Sequence, residues 1–230
     1  HYTRSVSGLI FIFKLTEQKI LSGGDIMKTL ENIFVITLFL IYLGLWKIKQ
    51  LKQIKNTGVD PAVIGKSTSS IQKYFYQCTN ILTLYAVLMI VLHSSQFQLG
   101  SLFSRITVLD QFLFDLIGFF TGLMGLSLCF YAQVKMGNSW RVGVDTNAKT
   151  DLITTGLYKY IRNPTYLGLF LLNMGLWLIW PTWTVFLFNL VFVLLLDIQV
   201  RCEEDYLSSM HGSKYIEYKK RTKRYIPFIY

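Results

Sequence analysis

The 230-residue chain is 52% hydrophobic and 16% charged, with a mean hydropathy of +0.40. Soluble domains hold an apolar share of about 45–50% even with glycine counted, which excludes an ordinary soluble domain and indicates an all-α, polytopic integral membrane protein. The net charge of +10 would suit nucleic acid, but the cations are confined to alternate loops, so they read as membrane topology and no nucleic-acid partner is expected.

The chain begins at His1, and Ser22-Gly23-Gly24-Asp25-Ile26 stands directly before Met27-Lys28-Thr29. A pair of glycine codons can spell a purine-rich ribosome-binding site, so residues 1–26 are read as a translated leader. The alternative is a native amphipathic segment carrying the apolar Leu9–Phe13. Residues 27–230 then form a single membrane domain, with the cofactor-binding half at 136–230.

Apolar runs follow at Ile33–Trp46, Ile81–Leu92, Phe112–Val134, Tyr166–Trp180 and Trp183–Leu196, which predicts about five transmembrane helices. Roughly 20 helical residues cover a hydrocarbon core of about 30 Å, so Phe112–Val134 spans unaided. Ile33–Trp46 and Ile81–Leu92 need their polar flanks to continue the helix, and a buried or interfacial helix is the alternative for each. Thr57–Ser70, with Gly58, Pro61 and Gly65, is the loop between the first two crossings. Gly118, Gly122 and Gly125 share one face of the third run and would let a neighbouring helix approach closely; glycine is also common in membrane helices, and an oligomer contact through Gly118/Gly122 is the further alternative. Pro181 lacks an N–H and clashes with a continuing helix, so the last two runs form a tight hairpin.

Lys47, Lys49, Lys52, Lys55, Lys66 and Lys73 follow the first run, whereas the segment after the second carries Arg105 alone. Lys135, Arg141, Lys149, Lys159 and Arg162 follow the third, the hairpin turn has no charge, and a dense set from Arg201 to Arg224 follows the fifth. Cations in every second loop put the N-terminus outside and the C-terminus in the cytoplasm, with a bacterial inner membrane as the favoured setting. Cys78, Cys129 and Cys202 are odd in number and lack metal-ligand spacing, and His1, His93 and His211 are scattered. Neither a disulfide framework nor a metal site is expected.

Three polar blocks fall on the cytoplasmic side: Met136–Gly143, Gly156–Gly168 and Arg201–Glu204. The hairpin returns the chain on itself, so Arg162 at its start and Glu203/Glu204 at its end come together. Charges this near the hydrocarbon boundary are costly unless paired or functional, which leaves a structural ion pair or a ligand site. As a ligand site, Arg162 offers a planar fork for a carboxylate, glutamate accepts from an amine or a ribose hydroxyl, Asn163 reads a purine edge, and tyrosine faces attract a cation. S-adenosyl-L-methionine presents all four groups. ATP would call for a GxxxxGK[ST] loop and a soluble methyltransferase for a glycine-rich βαβ turn, and the sequence has neither.

Gly156-Leu-Tyr-Lys-Tyr-Ile-Arg-Asn-Pro-Thr-Tyr-Leu-Gly168, preceded by Met136-Gly-Asn-Ser-Trp-Arg141 and followed by Arg201-x-Glu-Glu-x-x-Leu207, His211-Gly-x-x-Tyr-x-x-Tyr218 and Arg224-Tyr-Ile-Pro227, resembles the isoprenylcysteine carboxyl methyltransferase family. That family is similar in turn to the membrane phospholipid N-methyltransferases. The resemblance covers about the C-terminal half. It implies a helical hairpin and a cytoplasmic segment that enclose S-adenosyl-L-methionine, with a lipid or prenylated acceptor entering from the bilayer. It places Arg162, Pro164, Tyr166 and Gly168 in the family's Arg-His/Asn-Pro-x-Tyr-x-Gly motif and Glu203-Glu204 in its acidic pair. Asn163 stands where eukaryotic members usually have His and bacterial-type members often have Asn. His211 replaces the usual Phe before Gly212. With Tyr158 added, these residues make up the expected cofactor site, Arg162 and Glu204 are the expected catalytic residues, and Trp140 and Arg141 are assigned to the acceptor.

The activity this implies is methyl transfer to a prenylcysteine-type carboxylate. N-methylation of an aminophospholipid is the runner-up, and it would need Glu203 or Glu204 as a base. NADPH-dependent sterol-type reduction and a non-enzymatic scaffold stand behind it. Adjacent residues on a helix point about 100° apart, so the two glutamates are expected to differ: Glu204 toward the ligand, the other toward Arg162 or capping neighbouring backbone. Arg201 is expected to pair with Asp205, and Tyr218 with Lys219–Arg224 to form a cytoplasmic lid, with an anionic-lipid anchor as the alternative.

Overall fold

The computed structural model describes residues 2–66, 69–95, 100–144 and 150–227, with the side chains of the first helix described from residue 26 onward. The reading of residues 1–26 as a leader falls on a stretch whose side chains lie almost wholly outside the described ones. Six α-helices follow in order: α1 (Tyr2–Thr57), α2 (Ser70–Ser94), α3 (Phe112–Met136), α4 (Pro164–Ile179), α5 (Trp183–His211) and α6 (Ser213–Arg221). Single-turn 3-10 segments punctuate the loops. The described residues form no β-strand, only isolated bridges that join Ala62 to Val142, Arg105 to Thr182 and Ile161 to Lys223.

Among the described residues, four helices are long and apolar enough to cross a bilayer: Ile26–Thr57 of α1, α2, α3 with its following turn, and α5. The fourth apolar run, Tyr166–Trp180, gives only the 16 residues of α4, about 24 Å of helix. It starts at Pro164, whose missing N–H costs nothing at the first helical position, and ends before Pro181. Polar flanks lengthen the other runs as expected. α5 extends far past Leu196, and its 29 residues reach about 44 Å, so its last turns carry Glu203 and Glu204 beyond the apolar stretch.

The side chains are sorted as in a membrane protein. Leu40, Ile81, Leu84, Phe120, Leu190 and Leu194 are exposed on the outer faces, while Gln72, Gln133, Asn173 and Gln199 are buried inside. Between helices the apolar core gathers Val35, Met89, Ile179, Trp180 and Val185. Phe34 meets Phe119 at 4.4 Å, and Tyr85 stacks on Phe188 at 6.0 Å.

α3 and α4 pack backbone to backbone. A Cβ added at Gly125 would lie 2.5 Å from the Gly168 carbonyl oxygen and from the Leu172 nitrogen; one at Gly175 would lie 2.6 Å from the Gly118 carbonyl oxygen and the Gly122 nitrogen. No side chain fits there, and the close approach is the kind that small residues permit between membrane helices. The expectation of an oligomer contact at Gly118/Gly122 is therefore corrected. Gly118 is spent on α4, and a Cβ at Gly122 would lie 2.9 Å from Leu38 of α1.

At one end of the bundle the α4–α5 hairpin closes through Trp180–Thr182. The Thr182 side chain caps α5 by accepting from the Val185 N–H, and the Pro181 carbonyl accepts from Ile106 N–H at 2.7 Å. The site lies at the opposite end.

Candidate active site

The turn Gly156–Lys159 and residues 160–163 lead into α4, and the chain after α6 lies along them as a clamp. Arg162 N–H donates to the Lys223 carbonyl at 2.8 Å, Asn163 N–H to the Arg224 carbonyl at 3.2 Å, and Lys223 N–H to the Tyr160 carbonyl at 2.9 Å. The Tyr218 hydroxyl donates to the Tyr158 carbonyl at 2.7 Å. Gly212 turns the chain from α5 into α6 with φ +57°, a left-handed value that suits glycine. α6 buries Tyr215 and Tyr218 and leaves Lys219 and Lys220 in solvent.

Inside this clamp, Glu204 is 1% exposed and gathers cations. Its Oε1 accepts from Arg162 Nε at 2.9 Å and Asn163 Nδ2 at 3.0 Å, its Oε2 from Arg224 Nη2 at 3.0 Å, and Lys219 Nζ lies 3.8 Å away. Arg162 also donates through Nη1 to the carbonyls of Lys219 and Thr222. Its Nη2 has no hydrogen-bond partner among the described residues.

A step of one residue, about 100° around the helix, puts Glu203 in a different setting. Its Oε1 accepts from the Tyr166 hydroxyl at 2.8 Å and from Gln199 Nε2 at 3.0 Å, and its Oε2 has no partner among the described residues. Glu203 faces a cavity of about 930 Å³ that is also lined by Tyr158, Arg162, Asn163, Tyr166, Trp140 and Arg141. From this polar end the cavity continues between the helices to Met89, Leu176, Trp180 and Phe188. Burial pushes the phenols of Tyr158, Tyr215 and Tyr218 well above the usual tyrosine range, so all three stay neutral and keep their protons as donors.

The structure therefore brings most of the sequence-derived set to one cavity and sorts the rest. Pro164 is fully buried as the first residue of α4, and a Cβ on Gly168 would lie 2.7 Å from Cys129 Sγ, so both serve helix placement and neither lines the cavity. The expected division of labour between the glutamates is reversed: Glu203 lines the cavity and Glu204 takes Arg162. Arg201 pairs with Asp197 at 2.7 Å, one turn back. Trp140 is backed by Trp46 at 6.3 Å, and Arg141 bends over the carbonyls of Asn138 and Trp140. Sequence reasoning missed Gln199, though its position four residues before Glu203 on one helix face was a signal. It also missed Gln72, for which the sequence holds none.

Arg162 and Glu203 each keep one charged atom for a ligand at a cavity wall rich in tyrosine. That donor and acceptor set fits the carboxylate and the amine or ribose of S-adenosyl-L-methionine.

Residues 116–209 match the model of the isoprenylcysteine carboxyl methyltransferase family. A protein-S-isoprenylcysteine O-methyltransferase of Schizosaccharomyces pombe is 32% identical over 109 residues, 46% of each chain. A methanethiol S-methyltransferase of Crocosphaera subtropica is 35% identical over 80 residues, 33% of this chain and 29% of that one. The chain thus matches less than half the length of these curated relatives. The solved structure of a eukaryotic intramembrane Ras methyltransferase, ICMT, shares the fold, with a TM-score of 0.50 and 18% identity over 85% of this chain and 68% of that one. The matched segment covers the end of the bundle that builds the cavity, and over it the chain is similar to the isoprenylcysteine carboxyl methyltransferase family.

Proposed function

We propose that the protein transfers a methyl group from S-adenosyl-L-methionine to the carboxylate of an isoprenylcysteine-type acceptor, with the site facing the cytoplasm. The observation that carries this reading is one continuous cavity with a charged end at Arg162 and Glu203 and an apolar end at Met89, Leu176 and Phe188. Such a cavity would suit a polar donor at one end and a lipid-like acceptor at the other.

When bound, S-adenosyl-L-methionine supplies an electrophilic methyl group on a sulfonium and departs as the neutral thioether. Arg162 Nη2 would hold the carboxylate of the donor, and Glu203 Oε2 its amine or a ribose hydroxyl. The neutral rings of Tyr158 and Tyr218 offer faces to the cation. Trp140 and Arg141 stand on the wall assigned to the acceptor. A carboxylate is already a nucleophile at neutral pH, so no residue has to remove a proton. The protein contributes alignment, worth up to about 7–11 kcal/mol in favourable cases, and apolar walls that keep water from the acceptor oxygen. N-methylation of an aminophospholipid would need a base in contact with the acceptor. Glu203 is the one glutamate of the pair on the cavity wall, and it already accepts two hydrogen bonds.

Titration of the detergent-solubilised protein with S-adenosylhomocysteine and with NADPH tests the donor. Affinity for the first and none for the second is expected, and the converse sinks the reading. Labelled methyl donor with a prenylcysteine acceptor should yield a base-labile methyl ester. Label found only in base-stable methylated head groups would replace the carboxylate acceptor with an amine.

A further inference from the structure

Glu203 is tied by side chains to a part of the molecule outside the matched family segment. Its Oε1 accepts from Gln199 Nε2 at 3.0 Å, Gln199 Oε1 accepts from Gln72 Nε2 at 3.4 Å, and Gln72 Oε1 accepts from the Val144 N–H at 3.2 Å. Gln72 stands on α2 and is 2% exposed; Gln199 is 5% exposed. The chain of bonds crosses from the loop after α3, through α2, to α5.

Its direction is fixed at the loop end. A backbone N–H can only donate, so Gln72 turns its oxygen toward Val144 and its NH2 toward Gln199. Gln199 must then present oxygen to Gln72 and NH2 to Glu203. Glu203 receives this bond together with that of the Tyr166 hydroxyl, both on Oε1. Two donors on one oxygen hold the rotation of the carboxylate and leave Oε2 toward the cavity.

We infer that Gln72 and Gln199 are positioning residues that aim the free oxygen of Glu203 at a cationic or hydroxyl group of the bound donor. The inference rests on the proposed S-adenosyl reading of the cavity and extends it: α2, which carries none of the family motifs, takes part in donor recognition. A merely structural pair of amides would join α2 to α5 and act on stability without regard to Glu203.

The test is a double-mutant cycle read by calorimetric titration with S-adenosylhomocysteine in neutral detergent, alongside thermal unfolding. Gln199→Met and Gln72→Met keep side-chain length and remove the bonds, and each should weaken binding about tenfold, as befits loss of a hydrogen bond to a charged group. In a Glu203→Gln background the same changes should cost less than about twofold, because no carboxylate is left to aim. Equal losses in both backgrounds, or no loss in either, overturn the relay. If Gln199→Met does not yield a monodisperse protein, Gln72→Met, one bond further from Glu203, reads the same cycle. A parent that binds no S-adenosylhomocysteine overturns relay and donor reading together, whereas a binding parent with background-independent losses overturns the relay alone.

Discussion

Glu203 and Glu204 are neighbours in the chain and belong to separate networks: Glu204 holds Arg162 at 2.9 Å and Arg224 at 3.0 Å, while Glu203 holds the Tyr166 hydroxyl at 2.8 Å on the cavity wall. Removing the charge of Glu204 takes the carboxylate from the largely buried Arg162 guanidinium, a loss of about 3–5 kcal/mol in such settings. Glu204→Gln should lower the unfolding midpoint sharply, and Glu203→Gln should keep the midpoint and lose donor affinity. The two are separated by thermal unfolding and calorimetric titration of the same preparations. The opposite pattern would return the ligand role to Glu204.

Arg162→Lys should fail to restore what Arg162→Ala loses. The guanidinium donates to Glu204 and to two carbonyls of the clamp at once, and still has Nη2 to offer. An ammonium is a point charge and cannot reproduce that fork. Both variants should bind S-adenosylhomocysteine at least tenfold more weakly, a loss of about 1.4 kcal/mol or more, and should be cut faster between α6 and the C-terminus by a protease. Parent-like affinity in Arg162→Lys would show that charge alone suffices.

Truncation after Gly212 removes α6 and the backbone bonds that residues 223–224 make to residues 160–163. Donor affinity should disappear in neutral detergent, where no anionic lipid is present. Retained affinity would make the basic segment a lipid anchor and nothing more.

Gly168→Ala should destabilise without touching the ligand. Its Cβ would fall 2.7 Å from Cys129 Sγ and 2.8 Å from the Gly125 carbonyl oxygen, an overpacking that typically costs about 1–3 kcal/mol. The folded fraction should titrate with S-adenosylhomocysteine like the parent. Lost affinity in a well-folded variant would put Gly168 back at the site.

Asp60 lies at the cavity rim, where the Gln50 amide and then the Lys66 ammonium hold its carboxyl down at about 2. A depressed value means that its stabilising contribution is present above the unfolded value near 3.8 and fades as pH falls toward about 2. The difference in unfolding midpoint between the parent and Asp60→Asn should therefore be constant near neutrality and shrink only below about pH 4. A difference that already shrinks between pH 7 and 5 would assign the effect to another group.

The apolar helices were legible because hydrocarbon imposes long apolar runs, and the hairpin was legible because Pro181 cannot continue a helix. The meeting of Arg162 with the acidic pair followed from the hairpin alone. Which glutamate turns inward was not legible: it depends on the rotation of α5, set by contacts such as Tyr85 on Phe188 that no local pattern encodes. The glycines of α3 looked like an outward contact because spacing gives a face and not its partner. Gln72 was invisible for a related reason, since its partner Gln199 is 127 positions away and neither residue type is rare in a helix.

The shortness of α4 sets a depth. Its 16 residues cover about 24 Å, against a hydrocarbon layer of about 30 Å, and the glycine contacts with α3 prevent it from sliding to make up the difference. Set with Trp180 at one boundary of such a layer, α4 would leave the ionic cluster ahead of Pro164 about 6 Å beneath the opposite one. Under the proposed function, an acceptor anchored by its hydrocarbon tail would meet the reacting group near the level where it already floats. Hydrophobic mismatch thereby becomes a kinetic variable: nanodiscs of shorter acyl chains relieve it, longer ones deepen it, and turnover should follow bilayer thickness at constant composition of head groups.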